Sequence, residues 1–144
     1  MDQIELVTEQ IDDGRRLIER LIQEGISVTA AGWLTTSDDE GQWCLYVASP
    51  IRDESPLKAY KRVQAVIRRM PHPFWIGLLD VKVISPTSPI AQRMLSIYRR
   101  YPAKNGIRYT HRLADGEDVG IEEAFIYPPP IMVPSSQGGG DRET

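Results

Sequence analysis

One punctuation occurs twice in this chain, and it constrains the fold more than any other feature. Ser55-Pro56 opens a helical stretch that ends at Arg68-Arg69-Met70-Pro71, and Ser88-Pro89 opens another that ends at Arg99-Arg100-Tyr101-Pro102. Ser accepts a hydrogen bond from the first free amides of a helix, and Pro at the first helical position gives up only an N–H that has no partner there. Pro after the last turn stops the helix. Ser49-Pro50 and Ser85-Pro86 stand just upstream, where a Pro without its N–H ends a strand. The chain therefore contains two strand-to-helix units. Two copies are too few to stack as a solenoid.

The segments around these units supply the other elements. Residues 4–24 place Ile4, Val7, Ile11, Leu17, Ile18, Leu21 and Ile22 near one helical stripe, with Gly25 where a left-handed cap would sit. Gly14 falls on the apolar side of that helix, a position suited to close approach of a neighbour. Ile26–Thr36 and 42–49 read as strands of a hairpin around Ser37-Asp38-Asp39-Glu40-Gly41, with Trp33 and Trp43 flanking the turn as a register-setting aromatic pair. Phe74–Ile84 reads as a largely apolar strand. Residues 107–113 and 119–127 read as a second hairpin around Asp115-Gly116.

The expected fold is thus one α+β domain over residues 1–127. Its order is α-β-β-α-β-α-β-β, with three helices on one or both faces of a five-stranded sheet that is mainly antiparallel or mixed. Alternation along the strands favours half-buried surfaces. Residues 128–144 run through Pro128-Pro129-Pro130 and three consecutive glycines and read as a disordered tail. A polyproline ligand role for that tail is the weaker alternative to a spacer.

Charge divides the chain in three. Residues 57–112 hold twelve Lys and Arg against one acid, Asp80, while the flanks carry net charges of −8 and −6. On the two central helices Tyr60, Val63, Ile67 and Met70, then Ile90, Met94, Ile97, Tyr98 and Tyr101, form the apolar stripes. Burying one large apolar side chain is worth about 1.5 to 3 kcal/mol against about 0 to 1 for an exposed ion pair, so packing sets these helices and their cations are left to solvent or to a partner. The candidate binding residues are Lys58, Lys61, Arg62, Arg68, Arg69, Arg93, Arg99, Arg100, Arg108 and Arg112. Cations in a helix's last turn also complement the macrodipole, which accounts locally for the Arg doublets.

Catalytic and cofactor patterns are thin. No phosphate-binding glycine motif is present, and two His and one Cys, far apart, make no metal-ligand pattern, so no cofactor or metal is expected. Thr87-Ser88-Pro89 could receive an anion, although a helix cap is the simpler account. Asp80 is a conceivable tuned acid, but Lys82 two residues on suggests a surface pair. His72 reads as a loop residue and His111 as a packed one. Glu122 and Glu123, adjacent on a strand, point to opposite faces. Cys44 is the only cysteine, Met1–Gln10 lack a leader's basic and apolar regions, and apolar runs are too short for a membrane helix, so the expected setting is the reducing cytoplasm.

Three readings of function follow. The first is a non-enzymatic interaction module or small complex subunit that docks on a protein partner, or on itself, through segregated charge. The alternative is a nucleic-acid-binding domain using the basic residues above, against which stands a chain pI near 5.4. Third is a small-molecule enzyme built around Asp80, His72 or His111.

Overall fold

In the computed structural model, residues 6, 8–36, 42–110 and 121–128 are described. The elements are α1 (Thr8–Gln23), β1 (Ala30–Thr36), β2 (Cys44–Ala48), a one-turn α2 (Ile51–Glu54), α3 (Pro56–Arg68), β3 (Val81–Ile84), α4 (Pro89–Arg100), β4 (Ile107–Thr110) and β5 (Ile121–Ile126). Both punctuated helices form as their residues dictate. Ser55 Oγ accepts from Lys58 N at 3.2 Å and Ser88 Oγ from Ala91 N at 3.3 Å, with Pro56 and Pro89 in the first turn. α1 ends in a Schellman cap: Gly25 takes φ +89°, and the amides of Gly25 and Ile26 reach back to the carbonyls of Ile22 and Leu21.

The five strands form one mixed sheet in the order β3-β2-β1-β5-β4. Only β2 and β3 run parallel, joined by the α2–α3 crossover; the other pairs are antiparallel. Ala30 pairs with Ala48 and Ala48 with Ile84, while Gly32 pairs with Ile126 and Ile126 with Ile107. β3 therefore ends and β4 begins at the same end of the sheet, on opposite edges. The intervening α4, twelve residues long, spans about 18 Å. Four inter-strand spacings are about 19 Å, so the connection that carries α4 has to cross the full width of the sheet.

Two apolar clusters fill the molecule, one per face of the sheet. Trp33, Leu45, Val47, Val81, Val83, Phe125 and Tyr127 pack with α1 and α3 through Leu17, Leu21, Val63 and Val66. Leu34, Tyr46, Ala124 and Ile126 pack on the other face against Ala91, Met94 and Ile97 of α4. The expectation of half-buried strands is corrected here: every residue of β1 and β2 is buried, because helices cover both faces.

Two further readings need correction. Trp33 sits opposite Leu45, not Trp43, and its indole donates to Tyr127 Oη at 3.0 Å, so it ties β1 to the end of β5 instead of pairing across the hairpin turn. Phe74–Ile84 is not one strand. Only Val81–Ile84 pairs with β2; residues 71–77 are loop, and Leu78–Asp80 form a single 3-10 turn. The segment alternates like a strand because Ile76 is buried and Phe74 and Leu78 pack on the core while Trp75 and Leu79 face out. That alternation continues beyond β2's Leu45, the last β2 residue paired with β3 in this direction. The expected turns at 37–41 and 114–118 and the tail beyond Pro128 lie outside the described residues.

Candidate interaction surface

α1 and α3 meet along a seam rich in guanidinium groups. Arg20 lies one turn before Glu24, and its Nε donates to Glu24 Oε2 at 3.0 Å. Arg69, at the end of α3, donates to the other oxygen of the same carboxylate, and Arg62 donates to the Glu24 carbonyl at 3.1 Å. Hydrogen bonds from Arg69, then Arg20, hold the Glu24 carboxyl below the usual glutamate range. A shallow cavity lies on each side of this cluster. One of about 190 Å³ is lined by Arg16, Glu19, Arg20, Gln23, Met70 and Pro71; the other, about 180 Å³, includes Ser27, Ser49, Ile51, Glu54, Lys58 and Arg62.

Beside the seam, the loop that follows α3 is anchored from beneath. Arg16 donates to the carbonyls of Pro71 at 2.9 Å and Pro73 at 3.3 Å, and its guanidinium lies over the Phe74 ring. Asp13 is only 5% exposed; one oxygen accepts from Arg16 at 2.8 Å and the other from the Trp75 amide at 2.8 Å. Asp80 closes the 3-10 turn by accepting from the Gly77 amide at 2.9 Å. These anchors hold the backbone while two large side chains face solvent: Trp75 is 73% exposed and Leu79 94%.

The ten candidate cations do not share one face. Lys58, Lys61, Arg62, Arg68 and Arg69 ride on α3, whereas Arg93, Arg99 and Arg100 ride on α4, across the sheet. Lys58 pairs with Glu54 at 2.9 Å, and Arg62 and Arg69 are committed to Glu24 as above. Lys61, Arg68 and Arg99 are exposed and make no ion pair among the described residues. Arg93 is half-buried, Arg100 lies over the Tyr101 ring, and Arg108 reaches the Leu6 carbonyl at 3.4 Å. Arg112 and His111 lie outside the described residues. The basic segment is thus partly neutralised by the acidic N-terminal flank, through Glu24 and Glu54.

The residues read as catalytic candidates have structural neighbours. Asp80 caps its turn through Gly77, and Lys82 lies over the Tyr46 ring at 5.7 Å on the next strand. Because Asp80 sits in a 3-10 turn, it does not share a strand face with Lys82 as the sequence spacing suggested. His72 is exposed ahead of the cis bond to Pro73. Ser88 serves as the α4 cap.

Trp75 and Leu79 were missed by sequence reasoning, which absorbed both into a strand. The signal that could have found them is Gly77 three residues before Asp80, a turn spacing that breaks a ladder. No helix among the described residues is long and apolar enough to cross a membrane, and no group of three or more His, Cys, Asp and Glu among them could hold a metal ion. No family model, curated protein or solved structure matches the chain.

Proposed function

We propose that this chain is a non-enzymatic protein-interaction module, a small subunit that docks on a protein partner in the cytoplasm. The observation that carries the reading is the pair of side chains at the loop tip, Trp75 and Leu79, exposed on a backbone anchored by Arg16, Asp13 and Asp80. A loop held from beneath loses little further freedom when it binds, and Trp is among the side chains enriched at the energetic centres of interfaces. Part of the basic segment lies on the opposite face, on α4, and part is already paired with Glu24 and Glu54; this favours protein over nucleic acid, because cations off the bound face or already neutralised add little to a phosphate contact.

The test compares wild type with Trp75→Ala and Leu79→Ala. Light scattering across a salt series and affinity capture from native lysate should show a partner, or a second copy, that both variants lose. A strictly monomeric wild type that captures nothing, or captures the same proteins as the two variants, would sink the proposal.

A further inference from the structure

From the seam between α1 and α3 we infer that the partner presents an acidic, apolar-bearing chain segment, and that this segment lies along the seam with Trp75 and Leu79 at one end. The inference rests on the interaction reading above and adds the partner's chemistry. Its first support is charge. Arg16, Arg20, Arg69, Arg62 and Lys58 follow one another along the seam, and the exposed Lys61 and Arg68 stand on the same helix. Three of the four carboxylates among them are already engaged or covered: Asp13 is buried under Arg16, Glu24 is shared by Arg20 and Arg69, and Glu54 pairs with Lys58, while Glu19 is exposed.

The second support is unused donor capacity. In their contacts with Glu24, Arg20 uses Nε, and Arg62 and Arg69 each use one terminal nitrogen, whereas a guanidinium carries five N–H donors. An incoming carboxylate can therefore be bound without releasing Glu24. Paired parallel N–H bonds to a carboxylate are among the stronger polar contacts available to a protein.

The third support is shape. The two cavities flank the Glu24 cluster on the same seam, and one of them is lined in part by the apolar pair Met70 and Pro71. From Lys58 to Arg69 α3 rises about 16 Å, the span of roughly five extended residues. A peptide can alternate carboxylates for the guanidinium groups with apolar side chains for Met70 and the Trp75 loop.

Fluorescence anisotropy with a labelled short peptide alternating Glu and Leu, beside its Gln-for-Glu isostere, tests this on the intact chain. The acidic peptide should bind at least roughly tenfold tighter than the isostere and weaken as salt is added. Arg20→Gln and Arg69→Gln should each loosen it several-fold, while Arg99→Gln on the opposite face leaves it unchanged. Equal binding of the two peptides, no binding of either, or preference for a DNA or RNA oligomer or an anionic vesicle overturns the inference. The wild-type comparison of the two peptides needs no variant to fold. If Trp75→Ala loses a captured partner but Arg20→Gln and Arg69→Gln retain it, and the acidic peptide does not bind, the interaction reading stands and the acidic occupant falls.

Discussion

At the scale of single residues, close packing is seen where Gly14 of α1 passes over Tyr127. Tyr127 Oη accepts from Trp33 Nε1 at 3.0 Å and donates to the Ile11 carbonyl at 2.7 Å, so its position is set from two sides. A Cβ on Gly14 would run into that hydroxyl and come within 2.8 Å of Trp33 Nε1. Gly14→Ala gains up to about 1 kcal/mol in helix propensity, but overpacking a well-filled core costs typically about 1 to 3 kcal/mol. The steric term wins because neither ring can move without breaking a buried hydrogen bond. Urea unfolding should therefore show net destabilisation of about 1 to 2 kcal/mol. Burial pushes the Tyr127 phenol well above its ordinary value. A raised folded pKa means stability that is complete below the unfolded value near 10 and falls as pH climbs toward the folded one. Tyr127→Phe should flatten that alkaline fall. It should also cost about 1 to 3 kcal/mol at neutral pH, because Trp33 loses its buried acceptor.

At the scale of elements, the helix ends were legible because their causes are local. Ser55, Pro56, Ser88 and Pro89 act within four residues of themselves, and no distant segment has to arrive first. The Ser88 hydroxyl also donates to the Ser85 carbonyl at 2.7 Å, so the cap fixes the turn between β3 and α4 as well. Ser88→Ala should lose about 1 kcal/mol in thermal or urea unfolding. Edge strand β3 depends on a more distant partner. Ser49 N donates to the Ile84 carbonyl, so the peptide groups of Val83 face away from β2; there Tyr60 Oη of α3 accepts the Val83 amide at 3.0 Å. That hydroxyl occupies one of the edge donors that could otherwise pair with another strand. The misreading of 74–80 as strand has the same origin. Ile76 and Trp75 alternate inward and outward in a loop as they would in a ladder, and alternation does not reveal whether a neighbouring strand is present.

At the scale of the whole molecule, the sheet separates what the chain kept together. α3 and α4 are successive helices of one basic segment, yet they lie on opposite faces. Their cations therefore meet different surroundings: Lys58 reaches Glu54, and Arg62 and Arg69 reach Glu24, while Arg99 and Arg100 lie at the exposed end of α4. The link across the α1–α3 seam is sensitive to acid. The Glu24 carboxyl titrates below the usual glutamate range, so its contribution is present above the unfolded value near 4.3 and is lost as pH falls through the folded one. Glu24→Gln should make the acid limb of stability shallower as pH falls below the unfolded value near 4.3. Urea midpoints for the two proteins across that range check it, and parallel limbs would count against the seam as an electrostatic link.

By itself the sequence determined the three long helices, their caps, the strand count and the α+β class, but not the one-turn α2. Each of these follows from periodicity and from residues that act on near neighbours: Gly25 at the end of α1, Ser55 and Ser88 at the starts of α3 and α4. It also showed that the cations were set apart. Only the tertiary structure decided that β1 and β2 are covered on both faces, that Trp33 answers to Tyr127, and that Glu24 gathers Arg20, Arg62 and Arg69. It also decided that Trp75 and Leu79 stand out from an anchored loop. The physical reason is range. A cap or a stripe is settled within a turn of helix, whereas burial and charge pairing depend on which distant segments the sheet order brings together.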